Sequence, residues 1–512
     1  MIEENTSSMK NSVRRLIIAG IGVLIQIIWV VVLVMRLNQY SQIITLLTVA
    51  IELVLVLAVY SMDTNAAFKL PWIILITVAP IVGICVFFLF GRSGATKKVR
   101  ARYRKIDQQL FAYLNQDEQI IEELSKKDER LANDFKYLWK CASSPVYKNT
   151  DVKYYGDTCD AMAAQLEDMM QAKKFIFLEY HAIEMAESFQ ALRKVLMAKA
   201  REGVEIRILY DDAGCIGFLN PRFIKYMESM GIQCRVFNPI MPVLNIFMNN
   251  RDHRKITVID GKVAYTGGYN LADEYFNITH PYGQWKDSGI RFEGDAVQTA
   301  TILFLEMWNA LREQDVDIEK YLPVYPYKAK EQGFFALYGD SPLDKEPAGE
   351  NVYMNLLRHA KKYIYFTTPY LILSDEMTRE LTGAAKRGVD VRIITPGIPD
   401  KKTIFQVTKS YYPQLLKHGV KIYEYTPGFM HEKQCICDGE IVVVGTINLD
   451  FRSLYLHFEN AALFCGYEAV SHVKEDFDAL FPICKDMSKE PSERTRRLRL
   501  SQLILRLFSP LM

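Results

Sequence analysis

The sequence predicts an α/β protein in which N-terminal transmembrane helices precede two similar lobes, each a mostly parallel β-sheet covered by helices. Apolar residues are concentrated in the first 90 positions, although the 512-residue chain has balanced charge overall. Beyond residue 150, short runs of β-branched or aromatic residues alternate with helical stretches, a pattern typical of α/β folds. The same series of runs occurs twice, which indicates a duplicated structural unit.

The composition excludes several classes of protein. A hydrophobic fraction of 50% rules out a disordered or fibrous chain. Because the net charge is +2, no global attraction favours nucleic acid, and we expect no nucleic-acid partner. The nine cysteines are scattered and form no CxxC pair, which favours buried thiols in a reduced compartment over a disulfide framework.

Three apolar windows, at residues 16–36, 43–61 and 70–90, predict transmembrane helices, since about 20 apolar residues cross the hydrocarbon core. Basic residues follow the third window, and positive charges beside a span stay in the cytoplasm. We therefore expect a multi-pass protein of the cell membrane, with residues 1–92 in the transmembrane region and the lobes on the cytoplasmic side. The basic segment is either a topology signal alone or also a contact with anionic lipid headgroups.

The rest of the chain divides into four predicted regions. Residues 93–150 form a basic, helical connector, and residues 151–330 and 331–490 form the two lobes. The repeat is visible where Ala172–Phe177 corresponds to Ala360–Tyr365. Residues 491–512 form a basic, amphipathic C-terminal tail, which lies either at the membrane interface or against the second lobe.

The strongest repeated pattern is H-x-K-x4-D-x6-G-x-x-N. Its two copies supply the candidate site residues His253, Lys255, Asp260 and Asn270, and His431, Lys433, Asp438 and Asn448. A single H-x-K-x4-D match is a weak signal, whereas two copies in corresponding places of a repeat are a strong one. Each aspartate precedes a glycine between two β-rich runs, so we expect Asp260 and Asp438 to fix hairpin turns.

The two copies together supply two imidazoles, two ammonium groups and two amides, which suits a phosphodiester substrate. Cations and donors neutralise the phosphate oxygens, one imidazole attacks phosphorus and the other transfers protons. This chemistry requires no metal and no cofactor. Each histidine needs an orienting acceptor, and we predict Glu459 for His431 and Asp287 for His253.

At these residues the chain resembles the phospholipase D superfamily, whose signature is the duplicated H-x-K-x4-D motif, and more closely the bacterial cardiolipin synthases. The resemblance covers roughly residues 70–512 and includes Gly445–Asp450 and Arg452–Glu459. It implies two phospholipase D-like lobes. It also implies a phosphatidyltransferase of phospholipid biosynthesis that converts two phosphatidylglycerols into cardiolipin and glycerol through a covalent phosphatidyl-histidine intermediate.

The resemblance further implies roles for the motif residues. His253 becomes the nucleophile and His431 the general acid and base, although the near symmetry of the two copies leaves the exchanged assignment open. Asp260 and Asp438 belong to the catalytic motif, and the phosphate is held by Lys255, Lys433, Asn270 and Asn448. The implied partners are phosphatidylglycerol and anionic membrane lipids, and the sequence carries no signal of oligomeric state.

Two departures and several alternatives accompany this interpretation. Gly268 stands where many superfamily members carry Ser, and His181 stands where an aromatic residue is more usual, so we expect His181 to be a core histidine. The alternatives are a phosphatidylserine synthase, a hydrolytic phospholipase D and a synthase that uses phosphatidylethanolamine. A superfamily nuclease needs a broad basic groove, and the near-neutral charge and the predicted membrane spans argue against one here. A degenerate scaffold conflicts with two intact motifs.

Overall fold

A computed structural model of the chain describes residues 42–88, 97–219, 222–240, 249–312, 315, 317–324, 326–492 and 498–511, with isolated positions between 21 and 32. Asn65 and Asp128 cap two of the first helices by accepting hydrogen bonds from backbone N–H groups. The helices that precede the lobes are α1 (Gln42–Tyr60), α2 (Ala66–Val78), α3 (Pro80–Val86), α4 (Lys97–Leu110), α5 (Glu118–Lys127) and α6 (Glu129–Ala142).

The prediction of transmembrane helices is wrong for the described part of the chain, where none of the helices has the length and apolar character needed to cross a bilayer. The third window is two helices, because Ala79 leaves helical geometry at φ −137° and ψ 72° before Pro80 begins α3. The second window forms α1, whose 19 residues rise only about 28 Å. Most of the first window lies outside the described residues.

The described residues of the first lobe form a seven-stranded sheet and four α-helices. Its strand order is first, ninth, seventh, sixth, second, third and fourth along the chain. These elements are β1 (Thr150–Tyr155), α7 (Thr158–Met170), β2 (Phe175–Tyr180), α8 (Glu187–Arg201), β3 (Glu205–Asp211), α9 (Phe223–Glu228), β4 (Gln233–Phe237), β5 (Arg251–Asp252), β6 (Lys255–Ile259), β7 (Val263–Gly267), β8 (Gln284–Lys286), β9 (Gly289–Gly294) and α10 (Val297–Leu311), of which β5 and β8 lie outside this sheet.

The second lobe repeats this arrangement around a larger sheet, which the short strand β5 of the first lobe joins. Ser374 caps one of its helices by accepting from the Met377 N–H. Its elements are β10 (Phe334–Asp340), α11 (Ala348–His359), β11 (Tyr363–Thr367), α12 (Asp375–Lys386), β12 (Asp390–Pro396), α13 (Lys402–Lys417), β13 (Lys421–Tyr425), β14 (Gly428–Met430), β15 (Gln434–Cys437), β16 (Ile441–Gly445), α14 (Phe451–Tyr455), β17 (His457–Cys465), α15 (Glu468–Leu480), β18 (Cys484–Asp486) and, in the tail, α16 (Leu500–Phe508).

The expectation of mostly parallel sheets is also wrong. In the first lobe, β2 pairs in parallel with β3, and β3 with β4, whereas β2–β6, β6–β7, β7–β9 and β9–β1 are antiparallel. The Asp–Gly turns explain the difference, because each joins two motif strands into a hairpin that adds antiparallel pairs to the parallel half. Asp260 and Asp438 have φ of 55° and 52°, followed by Gly261 and Gly439 at 67° and 71°, as a two-residue hairpin turn requires.

Two short parallel strand pairs join the lobes and position the site between them. Strand β5 pairs with β17, where Asp252 lies opposite Phe458. Strand β14 pairs with β8, where Met430 lies opposite Lys286. One hydrophobic core cluster contains residues of both lobes, so the two sheets fold as one packed body rather than as separate domains.

The C-terminal helix α16 packs on the second lobe. The guanidinium of Arg506 lies 4.0 Å from the ring centroid of Tyr411 in α13, and it donates to Gln414 at 3.4 Å. Leu500, Leu503 and Ile504 on the same helix remain exposed. The contact with the second lobe is therefore observed, and contact of the exposed apolar side chains with a membrane stays a prediction.

Candidate active site

The two motif histidines lie at equivalent places, each directly after a strand that crosses to the other lobe. The backbone N–H of His253 donates to the carbonyl of Phe458 at 2.9 Å, and that of His431 donates to the carbonyl of Lys286 at 2.8 Å. Both residues are buried, with relative exposures of 8% and 7%. Each histidine is thus held by backbone from the opposite lobe before its side chain makes any contact.

The orienting carboxylates cross between the lobes, which corrects the predicted pairing. Nδ1 of His253 lies 2.9 Å from both carboxylate oxygens of Glu459. Nδ1 of His431 lies 2.5 Å from Oδ2 of Asp287. The prediction that each carboxylate orients the histidine of its own lobe is therefore wrong. Strand β5, which precedes His253, pairs with β17, which carries Glu459. Strand β14, which precedes His431, pairs with β8, which directly precedes Asp287.

The surroundings of His253 are rich in imidazole groups. The ring centroids of His181 and His457 lie 5.0 Å and 5.6 Å from that of His253. Nδ1 of His181 lies 2.7 Å from the backbone oxygen of Asp252, so His181 is a half-buried, partnered histidine. The Thr446 hydroxyl donates to Glu459 and thereby fixes the carboxylate that faces His253.

The surroundings of His431 are aromatic instead. The ring centroids of Trp285, Tyr275 and Phe429 lie 5.1, 5.2 and 5.8 Å from that of His431. Asp287 accepts a hydrogen bond from the Ser288 N–H at 3.0 Å. The pocket around His431 is therefore apolar, apart from the groups that contact its ring nitrogen.

Gly268 makes room for Asp287 at the position where the other motif copy has Thr446. A Cβ at residue 268 would lie 2.1 Å from Oδ1 of Asp287 and 3.2 Å from the carbonyl oxygen of His431. The departure from Ser at this position therefore has a steric reason in this chain. One carboxylate is held by a threonine hydroxyl, and the other occupies space that a side chain would fill.

The two lysines differ in what they contact. Nζ of Lys255 donates to the backbone oxygen of His253 at 2.6 Å. Nζ of Lys433 contacts the backbone oxygen of His431 and also lies 2.7 Å from its Nδ1. His431 Nδ1 thus faces Asp287 on one side and an ammonium group on the other, whereas His253 Nδ1 faces Glu459.

Burial and positive charge set the protonation of the site. Burial lowers the pKa of Lys255 to about 7 and that of Lys433 to about 8. Burial, and to a smaller extent the charges of the two lysines, hold the pKa of both histidines well below the ordinary value of an imidazole. Burial raises the pKa of Asp287 to about 6, against the attraction of Lys433. Since each lobe perturbs the other's groups, the two motif copies form one electrostatic site.

The motif aspartates face away from the reacting groups. The carboxylate of Asp260 accepts from the N–H groups of Lys173, Lys174 and Phe175 at 2.7 to 2.9 Å. Asp438 makes the corresponding contacts at 2.7 to 2.8 Å, with Lys361, Lys362 and Tyr363. Both oxygens of each aspartate bind the backbone at the start of a central strand, so the geometry assigns them to folding rather than to chemistry.

The motif asparagines are buried within the same cluster. Asn270 accepts from the Ala182 N–H at 3.2 Å and donates to the Tyr275 hydroxyl at 2.8 Å, which leaves one amide N–H for a ligand. Oδ1 of Asn448 is buried and has no hydrogen-bond partner among the described residues. Phosphate binding by these two amides stays a prediction.

Two residues of this site were absent from the sequence prediction, Thr446 and His457. His457 precedes Glu459 by two residues on β17, so the two side chains lie on one face of the strand. With Glu459 as a candidate site residue, this spacing indicates that His457 lies beside it. Thr446 was visible only as a member of the Gly-x-x-Asn segment, and its bond to Glu459 depends on how β16 pairs with β17.

Comparisons with known proteins agree with this geometry. A family model described as cardiolipin synthase, PLD-like domain, matches residues 166–308 and 353–481. A Streptococcus mutans protein described as uncharacterized is 39% identical over 460 residues, which is 90% of this chain and 99% of that one. A cardiolipin synthase of Halalkalibacterium halodurans is 32% identical over 442 residues, covering 86% of this chain and 87% of that protein.

A crystal structure of phosphatidylserine synthase from Haemophilus influenzae shares the fold. It superposes with a TM-score of 0.52 at 13% identity, over 70% of this chain and 93% of that one. Fold, site and relatives together define a phosphatidyltransferase of the phospholipase D superfamily. Within that superfamily the chain belongs to the cardiolipin synthase family, whose substrates are phospholipids.

Proposed function

We propose that this phosphatidyltransferase condenses two phosphatidylglycerol molecules into cardiolipin and glycerol through a phosphatidyl-histidine intermediate on His253. The observation that carries the proposal is the pair of buried histidines from two lobes, each with a carboxylate on Nδ1, beside two lysines. Such a pair can divide a substitution at phosphorus into two steps with one covalent intermediate.

In the first step, Nε2 of His253 attacks the phosphorus of one phosphatidylglycerol. A P–N bond forms, and the P–O bond to the headgroup glycerol breaks. Nε2–H of His431 gives its proton to the departing oxygen, so that glycerol leaves as the neutral alcohol. Lys255 neutralises the charge that develops on the non-bridging oxygens, while Lys433 acts through His431.

In the second step, the headgroup hydroxyl of another phosphatidylglycerol attacks the same phosphorus. Nε2 of His431 takes the hydroxyl proton, a P–O bond forms, and the P–N bond to His253 breaks. The product is cardiolipin, and both histidines return to their starting states. Because the same atom of His431 gives and then takes one proton, the cycle needs no external acid or base.

The contacts of Nδ1 support this division of roles between the histidines. His253 faces Glu459 with Nδ1, and the tautomer that donates Nδ1–H to the carboxylate leaves a lone pair on Nε2 for attack. His431 faces both Asp287 and Lys433 with Nδ1. When Nδ1 accepts from Lys433, the proton of the neutral ring lies on Nε2, where a general acid needs it.

Lys433 and Asp287 would then reset His431 between the steps. As Nε2–H leaves with the glycerol, the Lys433 ammonium passes a proton to Nδ1, and the new Nδ1–H donates to Asp287. The ring is then the tautomer that accepts a proton at Nε2 in the second step, after which Nδ1 returns its proton to Lys433. The pKa of about 8 for the Lys433 ammonium, lowered by burial, makes this exchange accessible near neutral pH.

We also propose that the enzyme works at the surface of a membrane that contains anionic lipid. Its substrates lie in the bilayer, α4 carries a basic series, and several apolar side chains of α1 remain exposed. These apolar residues include Leu46, Leu53, Val54 and Leu57. Contact with lipid at this surface would supply acceptor hydroxyl groups and exclude water, which favours transfer over hydrolysis. The cytoplasmic placement of the lobes rested on the basic residues after the third apolar window and stays a prediction.

The test uses the purified full-length chain with vesicles of phosphatidylglycerol labelled in the headgroup glycerol and, separately, in the acyl chains. We expect equal amounts of labelled cardiolipin and free glycerol. Phosphatidic acid in place of cardiolipin would identify a hydrolase. Phosphatidylserine formed from a nucleotide-activated lipid and serine would identify the other transferase. Either of these as the main product would overturn the proposal.

A further inference from the structure

His253, His457 and Glu459 form a cluster with more ligand capacity than the proposed reaction uses. One ligand atom of each lies within 4.8 Å of the others. His253 Nδ1 is 2.9 Å from both oxygens of Glu459, and Nδ1 of His457 is 3.7 Å from Oε1 of the same carboxylate. Two imidazole nitrogens and a carboxylate oxygen are the donors that zinc takes in many proteins.

His457 itself is the unexplained member of this cluster. Neither of its ring nitrogens has a hydrogen-bond partner among the described residues, although both are buried. Its side chain is 11% exposed. Buried polar groups are nearly always satisfied, and an orphaned one asks for a water, an ion or a ligand. The proposed transfer steps leave His457 without a role.

A cavity lies beside this imidazole. The cavity has a volume of about 580 Å³ and is lined by His457, by Asn250 and Leu456 beside it, and by Phe68 and Trp72 of the N-terminal helices. Of the three cluster residues, His457 is the one that lines this cavity. An ion could therefore arrive without passing through the position of the phosphate.

We propose that His253, His457 and Glu459 bind one zinc ion, and that this ion reversibly inhibits the enzyme. Zinc bonds to nitrogen and oxygen of about 2.0–2.2 Å require donors roughly 3.2–3.6 Å apart in a tetrahedron. Glu459 already meets His253 at a shorter separation, so a small rotation of His457 completes three positions. Magnesium is excluded as the occupant, because it prefers oxygen ligands.

The inhibitory effect arises because zinc on Nδ1 of His253 changes the protonation of Nε2 in the same ring. This part of the inference rests on the proposed function of His253. Zinc on Nδ1 replaces the proton that Nδ1 otherwise donates to Glu459. In the neutral ring the remaining proton then lies on Nε2, where it occupies the lone pair that must attack phosphorus. Binding the ion thus changes the tautomer of the nucleophile without covering the substrate.

The binding test uses the full-length chain stripped of metal, with zinc titrated against a chromophoric chelator. We expect the His457→Asn and His457→Gln variants to lose more than about 100-fold in affinity at one site, since even outer-shell changes cost about 10–100-fold. The control is His472→Asn on α15, whose exposed imidazole lies 3.9 Å from Glu468, and it should bind like the parent. Unchanged affinity in both His457 variants overturns the proposal.

The activity test is read separately. Cardiolipin formation in zinc-buffered vesicles should fall in the parent and in His472→Asn. In His457→Asn the same inhibition should require more than about 100-fold more zinc, following the lost affinity. Basal activity and circular dichroism show whether the variants fold.

Tight zinc binding without inhibition would overturn the inhibitory role while leaving the binding result standing. A chain that makes no cardiolipin even without zinc would instead reject the proposed function, and the binding titration would still decide the metal site.

Discussion

The two halves of the active site carry the same motif in different surroundings. His253 lies among imidazoles, with a carboxylate that a threonine hydroxyl holds. His431 lies among aromatic rings, with a lysine and a carboxylate sharing its Nδ1. One half therefore favours a fixed tautomer, and the other permits two. Two copies of one motif can in this way hold their imidazole protons on different ring nitrogens. The nearly identical sequences of the two copies do not show this difference.

The largest expected effect is the loss of activity in the two histidine variants. A substrate whose leaving group needs no acid distinguishes the roles of the two histidines. His253→Asn should lower cardiolipin formation by more than about 10⁴-fold, whereas His431→Asn should lower it by about 10²–10⁴-fold. With phosphatidyl-p-nitrophenol, whose leaving group needs no acid, His431→Asn should release one burst equivalent of p-nitrophenolate, measured by absorbance. A burst from His253→Asn and none from His431→Asn would reverse the assignment.

The next effect tests the crossed carboxylates. Glu459→Gln and Asp287→Asn should each lower turnover of phosphatidylglycerol by about 10²–10⁴-fold, because each leaves a histidine without its acceptor. With phosphatidyl-p-nitrophenol as substrate, the rate of the first step should return to near the parent value in Asp287→Asn. In Glu459→Gln the rate of the same step should stay low. Recovery of Glu459→Gln instead would show that the carboxylates serve the histidines of their own lobes.

A smaller effect compares the two lysines, each replaced by a cation that does not give up its proton. Lys433→Arg should lower kcat by about 10²-fold, because the exchange with His431 Nδ1 is lost. Lys255→Arg is the matched control, since Lys255 donates to a backbone oxygen and not to a ring nitrogen. Steady-state kinetics on both variants gives the comparison, and equal losses would remove the proton exchange from the mechanism.

The pH dependence follows from the same groups. Asp287, whose pKa is about 6, must be ionised to accept Nδ1–H, so kcat/KM should fall as the pH drops below about 6. Lys255, whose pKa is about 7, must be charged, so kcat/KM should also fall as the pH rises above about 7. The pH profile of Asp287→Asn, although slow, should lose the acidic limb. Persistence of that limb would assign it to another group.

The smallest effect on chemistry is expected at the turn aspartates. Asp260→Ala removes three backbone hydrogen bonds and leaves alanine at positive φ, so the free energy of unfolding should fall by about 2–4 kcal/mol. Asp438→Ala should lose less, because Asp438 is only half-buried. Denaturant unfolding measures both losses. Activity per folded molecule should stay within about threefold, and a loss comparable to that of a histidine variant would return the aspartates to the chemistry.

Local sequence predicted the repeat, the motif positions and the Asp–Gly turns, because each depends on residues close together in the chain. The partners of His253 and His431 could not be predicted this way. Glu459 follows His253 by more than 200 residues, and their contact depends on the pairing of β5 with β17. The third apolar window misled for a related reason, since hydropathy averages over Ala79 and Pro80, where the helix ends.

The crossed strands also set the order in which this enzyme becomes active during synthesis. His253 leaves the ribosome long before Glu459, and neither the backbone carbonyl of Phe458 nor the carboxylate that orients His253 exists until then. A nascent first lobe thus carries a complete motif, but the contacts that position His253 are missing. The growing chain can meet lipid before β17 has been made, when the carboxylate that faces His253 does not yet exist.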